Sequence, residues 1–368
     1  MTALAIGAAL VLILVWIGYP LLMRALASRS GPRVAREPEA WPSVTVLVAS
    51  REPAADILAR VDDIVSGDYA GELRVVVALD HASPTDESEL AGRRPGLTVV
   101  RGDPPGGKAT NLNAGARAAS GEMLVLTDTH QRFAPDAIRR LVADLSDGTF
   151  AATSGRLELP HRGEASLIDR YWRMERRLRR DEAALHSAIG VSGSIYAMRR
   201  SLWTPLPAGL ILDDLYVPMR LVLAGHRIGF TDAARAFDTR TTEPAEEYRR
   251  KVRTLTGNFQ LCAWLPAVLV PGRNPVWVQF VLHKLLRLLT PYLLVCLGAA
   301  ILAILVGRFG LYTLVAGAGA LVLLALAAGA AGKWRAVRNL AAWGISLQAA
   351  IVTATYYGLR GRWDVWRR

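Results

Sequence analysis

The two ends of the chain constrain it most. From Ala3 to Met23 it reads ALAIGAALVLILVWIGYPLLM, without a charged residue. A bilayer span takes ~20 such residues, so this segment is long enough to cross. No basic residue precedes the run, whereas Arg24, Arg29, Arg33 and Arg36 come after it. Ala25-Leu26-Ala27 resembles a cleavage site, but signal peptides carry their positive charge ahead of the apolar run. Residues 1–24 are therefore expected to be a retained anchor, and the positive-inside rule places the chain beyond Arg24 in the cytoplasm.

Three further apolar stretches lie near the other end: Leu288 to Val306, Leu311 to Ala331 and Leu340 to Leu359. They are expected to be transmembrane helices within 287–359. The basic segment Lys333 to Arg338 (KWRAVR) belongs on the cytoplasmic side, and simple alternation agrees. The same alternation puts the basic tail 360–368 outside, although it carries Arg360, Arg362, Arg367 and Arg368. Either the tail departs from the rule or one segment does not cross. Trp264 to Val281 is apolar but broken by Pro266, Pro271, Arg273, Asn274 and Pro275. It suits an interfacial or re-entrant piece, and 261–286 is assigned to interfacial helices.

With 368 residues there is room for one large domain between these ends. The formal charge of +12 implies an anionic partner surface. The long apolar stretches point to lipid, and no interleaved basic and aromatic stripe points to nucleic acid. Cys262 and Cys296 are too few for a disulfide framework or a cysteine zinc site.

Between 41 and 260 short apolar runs alternate with helical patterns. Val44 to Ala49, Leu73 to Leu79, Leu97 to Arg101 and Met123 to Thr127 read as buried strands. Ala54 to Ser66, Asn111 to Ala119, Pro135 to Leu145 and Leu215 to Ala224 read as helices. The alternation implies an α/β fold with a mostly parallel sheet. Ligands bind such sheets outside the carboxyl ends of the strands. Polar residues cluster at those ends: Ser50-Arg51-Glu52, Asp80-His81-Ala82-Ser83-Pro84-Thr85-Asp86 and Asp128-Thr129-His130. GGKATNLNAG, from Gly106 to Gly115, lies between them.

The segments VTVLVASRE, LDHASPTD, GGKATNLNAG, LVLTDTH, VSGSIYAMRR and ILDDLYVPMRLVLAGHRIGF occur in the order and at the spacing of glycosyltransferase family 2. The chain resembles that family, which includes hyaluronan, chitin-oligosaccharide and cellulose synthases, over nearly its whole length. The resemblance implies a GT-A, Rossmann-like nucleotide-sugar domain with transmembrane helices at both ends. It implies an inverting glycosyltransferase at a bacterial inner membrane. The donor would be a nucleotide-diphosphate sugar, a UDP-sugar first, and the acceptor a growing polysaccharide or a lipid-linked sugar.

Such a transfer must stabilise the leaving diphosphate and remove a proton from the attacking hydroxyl. The resemblance assigns Asp214 as the base, with Asp213 beside it in place of the family's Glu. It places Glu52, Asp80, Lys108, Asn113, Asp128 and Arg253 around the donor, and Arg250 near the acceptor. Arg51 replaces the family's usual Asn. Asp128-Thr129-His130 matches the family's DxD motif with His for the second acid. Residues i and i+2 at a strand end face one way, so Asp128 and His130 are expected to hold a divalent cation, Mg2+ or Mn2+. Where processive synthases carry QxxRW, this chain has Arg250, Arg253 and Thr254. The sugar-stacking Trp is missing, which weighs against a long-chain polymerase. A competing expectation, motivated by Arg51 and His130, is a non-catalytic membrane partner that retains the fold. A transporter is disfavoured, because the spans hold almost no ionisable residues.

Overall fold

The computed structural model describes residues 1–31, 33, 35–159, 167–240, 244–330 and 334–365. Helix α1 (Thr2–Ala27) precedes a domain built on one eight-stranded sheet. The strands are β1 (Val44–Ser50), β2 (Leu73–Leu79), β3 (Leu97–Arg101), β4 (Met123–Thr127), β5 (Gln131–Phe133), β6 (Ala152–Glu158), β7 (Tyr196–Arg199) and β8 (Ile228–Asp238). Their order across the sheet is β3-β2-β1-β4-β7-β6-β8-β5. The first four are mutually parallel, β7 runs antiparallel to both its neighbours, and β6 and β8 are again parallel. The parallel half was expected from the sequence. The mixed half, from β5 to β8, was not.

Alternate residues of the parallel strands feed two separate cores, as the two-residue period of a strand requires. Val44, Val46 and Val48, with Val75, Val77 and Leu79, face one side. There they meet helix α2 (Ala54–Val65) through Ile57, Val61 and Ile64. Leu47, Val76 and Ala78 face the other side with Leu112 of helix α3 (Lys108–Ala118). Gly115 lets α3 settle onto the sheet, since a Cβ there would overlap Leu47 and sit 3.3 Å from the Ala78 Cβ. The first core is closed by α4 (Ala137–Leu145). Helix α5 (Leu167–Leu185) packs on α1, and α6 (Asp213–Leu223) adds Met219 and Val222 to the second core.

Helix α7 (Pro244–Trp264) runs on past residue 260. The proline-broken segment after it does not lie open. Asn274, itself buried, donates to the Val268 carbonyl at 2.8 Å and accepts from the Val276 N–H at 3.1 Å. Val268, Val276 and Phe280 thereby enter the second core. From Trp277 the chain is helical to Phe309 (α8), so residues 277–286, read as interfacial, continue into the next helix. Helices α9 (Tyr312–Ala330) and α10 (Trp334–Leu359) complete the chain of elements. Residues 334–338, read as a loop, are the first turn of α10. Lys333, Ala331 and the arginines at 367 and 368 lie outside the described residues.

Among the described residues two helices, α1 and α8, are long and apolar enough to cross a membrane by length and composition, and most of each is unburied. Tyr312–Leu324 is a shorter apolar stretch. The helix α1 changes to a π-turn over Leu14–Gly18, just ahead of Pro20. A helical proline removes one backbone donor, and a π-turn is one way to absorb that loss.

The end of β4 is held by a buried arginine. Arg60 on α2 is fully buried and donates to Thr127 Oγ1 at 2.8 Å. It pairs with Asp63 and stacks 4.1 Å over the Phe133 ring. Burial pulls the Arg60 guanidinium down to about 10, against the upward pull of Asp63. Arg60→Met should cost about 3 kcal/mol, because it strands a partly buried carboxylate and a buried hydroxyl. Thermal unfolding of the purified full chain checks this, and an unchanged midpoint would remove Arg60 as the brace of β4.

Candidate active site

Lys108 is the first residue of α3, and Gly106 and Gly107 before it have φ of +84° and +102°. That backbone favours glycine. It turns the Gly107 N–H onto Asp80 Oδ2 at 2.7 Å and starts the helix with Lys108 over the carboxyl ends of the strands. The Lys108 ammonium lies 2.9 Å from Asp128 Oδ1, beyond β4, and 3.5 Å from Asp213 Oδ1, at the start of α6. Asp214 joins them across Gly193: a Cβ on that glycine would stand 3.4 Å from both Asp214 Oδ2 and Lys108 Nζ. Four residues expected from the sequence therefore converge.

Charge organises the group. Burial disfavours the Lys108 ammonium, but Asp128, Asp213 and Asp214 outweigh it and raise the group above its ordinary range. Burial works against the Asp128 carboxylate too, and Lys108 with the Ser194 hydroxyl, 3.3 Å from Oδ2, holds it low instead. Asp213 behaves differently. It is buried, and its Oδ2 has no hydrogen-bond partner among the described residues. Burial, reinforced by Asp214 and Asp128 and opposed by Lys108, pushes its carboxyl up to about 6. Tyr196, fully buried, has its phenol pushed well above the usual value by burial and then by Asp213, Asp214 and Asp128.

Asp80 lies on the same rim, joined to α3 rather than to the carboxylates. Its oxygens accept from the Ala82 and Gly107 N–H groups and from Asn111 Nδ2 at 3.2 Å. Burial raises its pKa, but those donors reverse the shift and hold it low. Asp80 is thus first a brace between the β2 loop and α3.

Other expected residues fall elsewhere. Asn113 uses both ends of its amide on the Leu206 backbone, at 2.8 Å each way, so its side chain is occupied away from the cluster. Asn111, two positions earlier, is the amide on this rim. Arg250 and Arg253 are exposed on α7 and reach none of the four clustered residues by a hydrogen bond or ion pair among the described residues.

The expected cation pair also changes. Strand β4 ends at Thr127 and residues 129–130 form a turn, so strand alternation no longer aligns Asp128 with His130. His130 Nε2 lies 2.9 Å from Glu52 Oε1 instead. Among the described residues no group of three His, Cys, Asp or Glu side chains could hold a metal ion. Asp128 fits as a lone protein carboxylate beside phosphate oxygens, the usual way Mg2+ is held in phosphate sites. His130, paired with Glu52, does not fit as a second ligand.

The segment leading into Asp213 is held by α7. Gln260, fully buried, accepts from the Ile211 N–H at 2.8 Å and donates to the Gly209 carbonyl at 3.0 Å. Gly257 allows the approach, since any Cβ there would overlap Leu212. Gln260, Ser194, Tyr196 and Asn111 were not singled out in the sequence. A buried glutamine inside an amphipathic helix was the one available signal.

A family model described as glycosyltransferase like family 2 matches residues 42–257. The chain belongs to that family. N-acetylglucosaminyltransferases from Mesorhizobium japonicum and from Rhizobium sp. are 31% and 29% identical to it over 173 and 171 residues. Each alignment takes in 44% of this chain, and 41% and 38% of the respective relative. The chain thus spans less than half the length of these two relatives. A mannosyltransferase from Pyrobaculum calidifontis, solved with GDP-Man and Mn2+, superposes with a TM-score of 0.72 at 24% identity. That likeness covers 98% of this chain and 99% of the mannosyltransferase. It establishes the GT-A fold, with its mixed sheet, for this family 2 member.

Two measurements test the geometry of the family 2 site. Asp213 has a folded pKa raised above its unfolded value of about 3.9. Its contribution to stability is therefore fully present below pH ~4 and lost as pH rises through about 6. Asp213→Asn should raise the unfolding midpoint at pH 7 relative to wild type, and the gain should vanish near pH 4. A gain of equal size at both pH values would show that Asp213 carries no buried charge. Gln260→Leu should lower kcat ~10-fold while the donor KM stays within about twofold, because the loop into Asp213 loosens and the donor side does not. Loss confined to KM would assign Gln260 to donor binding.

Proposed function

We propose that this chain is a membrane-embedded, inverting glycosyltransferase that moves a sugar from a UDP-sugar to an acceptor at the cytoplasmic face of a bacterial inner membrane. The observation that carries the reading is the convergence of Lys108, Asp128, Asp213 and Asp214 at the carboxyl ends of a GT-A sheet. The acceptor is a growing polysaccharide or a lipid-linked sugar, as cell-envelope or exopolysaccharide synthesis requires. The helices α1 and α8 support attachment to a bilayer, and α9 and α10 extend it to a multi-pass arrangement. The names of the rhizobial relatives support an N-acetylhexosamine as the first sugar to try.

In this mechanism Asp214, half-buried beside Lys108, accepts the proton of the acceptor hydroxyl. That oxygen attacks the anomeric carbon as the bond to the diphosphate breaks, and the configuration inverts. Asp213 tunes the step. When ionised it adds negative charge next to Asp214. Lys108 keeps the carboxylates together before the donor arrives and offers its positive charge to the diphosphate afterwards. Lys108 sits at the α3 N-terminus, an end of a helix that favours anions. A divalent cation held by Asp128 supplies charge neutralisation on the leaving diphosphate when bound. Asp80 and Asn111 hold the loop against which the nucleoside rests.

Wild type and Asp214→Asn are compared in membranes supplied with radiolabelled UDP-sugars and, separately, Mg2+ and Mn2+. The variant should bind donor as wild type does and transfer sugar at least ~100-fold more slowly. Equal turnover by the two proteins would reject Asp214 as the base. Absence of both transfer and donor hydrolysis in wild type with either cation would favour a non-catalytic partner. Product length separates the acceptors: a ladder of long chains marks a polysaccharide, a single addition marks a lipid-linked sugar.

A further inference from the structure

A cleft of about 660 Å³ opens between α1 and α5. It shares no residue with the carboxylate cluster. One wall is apolar and comes from α1, through Trp16, Ile17 and Leu21. The other is α5, which turns Arg170, Arg173 and Arg177 into the cleft at spacings of three and four residues, one face of a helix. Arg24, from the end of α1, completes the lining. All four arginines are exposed, and none makes an ion pair among the described residues. The one acid in the lining, Asp181, is paired with Arg180 at 3.4 Å and also attracts Arg24 and Arg177, so a single carboxylate faces these arginines.

The walls are fixed against each other. Tyr19 on α1 donates to Glu182 on α5 at 2.5 Å, and Met23 packs with Leu178. The Trp16 and Tyr171 rings lie 6.3 Å apart. The cleft is therefore a standing feature rather than a gap between loose helices. It combines two demands. Guanidinium groups stay charged, and one carboxylate leaves most of this positive charge uncompensated beside the apolar wall, a setting that favours an anion. The apolar wall in turn continues the exposed side of α1, where Leu10, Ile13 and Leu14 are open. A molecule that meets both demands carries a phosphate at one end and a hydrocarbon chain at the other. Arginine pairs also suit phosphate geometrically, through two parallel N–H···O bonds.

We propose that this cleft binds one anionic phospholipid of the membrane, its phosphate on Arg173 and Arg177 with Arg24 and Arg170 at the rim, and an acyl chain along Trp16, Ile17 and Leu21. The inference rests on the proposed membrane attachment and is independent of the proposed catalysis. The occupant proposed is a lipid that orients the domain, and binding of an isoprenyl phosphate in its place would mark a lipid-linked acceptor instead.

The full chain in a neutral detergent is titrated with phosphatidylglycerol, phosphatidylcholine, an isoprenyl phosphate and inorganic phosphate, and adducts are counted by native mass spectrometry. One phosphatidylglycerol is expected per chain, retained at least fivefold better than phosphatidylcholine and not displaced by millimolar inorganic phosphate. The double change Arg173→Gln with Arg177→Gln should reduce its retention to the phosphatidylcholine level, whereas lysine at both positions should keep more than half. Leu21→Trp fills the apolar wall with every arginine in place, and it should also lower retention. That decides the matter if the glutamine variant does not fold. Equal retention of the two phospholipids overturns the proposal. So does unchanged retention in Leu21→Trp together with the glutamine variant, or preferential binding of the isoprenyl phosphate. UDP-sugar binding is measured in the same samples. Phosphatidylglycerol retention without UDP-sugar binding would leave the lipid site standing and remove the proposed function. UDP-sugar binding without selective retention would do the reverse.

Discussion

A single ammonium group holds the site together. Two like charges about 4 Å apart repel by about 4 kcal/mol at an effective dielectric near 20, and the cluster gathers three carboxylates, Asp128, Asp213 and Asp214. Lys108 is the cation placed among them, with Asp128 on one side and Asp213 on the other. Its position depends on backbone as much as on charge. Without the left-handed turn at Gly106 and Gly107, α3 could not begin where it does, and Asp80 would lose the N–H that keeps its loop closed. The remaining supports act on the same few atoms from behind. Arg60 fixes the last residue of β4 before Asp128, and Thr127 passes that restraint on by donating to the Ser194 carbonyl at 2.8 Å. Gln260 fixes the loop before Asp213 from the opposite side.

The balance is incomplete at one point. Lys108 and the Ser194 hydroxyl hold the Asp128 carboxyl low, but Asp213 is left with a buried oxygen lacking a partner among the described residues and a pKa lifted to about 6. A fold optimised for stability alone would place an amide there. Functional sites commonly keep such unfavourable groups, and the surrounding structure compensates. Here the compensation is visible in the two fully buried sets of strand residues beneath the rim, which hold the strand ends in place whatever the charge state over them.

How much of the fold was legible in the sequence depends on how each element is stabilised. The strands β1, β2 and β4 are apolar runs mostly buried on both faces, and β3 is a short half-buried edge strand; hydropathy marks all four with ends correct to a residue or so. Strands β6 and β8 escape that reading. In β6 the fully buried Thr153 and Ser154 are satisfied by Asp144 and by the Ser192 N–H, contacts that no local pattern announces. The acids and Lys108 were legible because charged residues cluster at strand ends in family order. His130 was expected beside Asp128 by strand alternation, but the strand ends at Thr127 and the imidazole lies against Glu52 instead. Asn113 was preferred to Asn111 although both lie in one short motif, and only the packing of α3 decides which amide faces Asp80.

The apolar helices at the two ends pack against the domain through specific contacts. Helix α7 carries Gln260 to the active-site loop and packs along α10, where Tyr248 and Thr353 hydroxyls lie 2.9 Å apart and Gly358 admits Phe259. On the opposite side, the two ring nitrogens of His283 on α8 face Glu182 and Glu175 of α5 at 2.9 and 3.1 Å, and Tyr19 of α1 shares the Glu182 oxygen. Arg287 joins the same buried group through Glu175 and lies 4.6 Å over the Trp16 ring. Breaking the contacts of His283 with Glu175 and Glu182 would strand buried polar groups. The helices at both ends are therefore fastened to the domain by polar contacts, not hung from it by linkers. Under the proposed membrane attachment, a domain fastened in this way could not turn freely against a bilayer holding α1 and α8, and an acceptor would come to a rim whose height and tilt are already set.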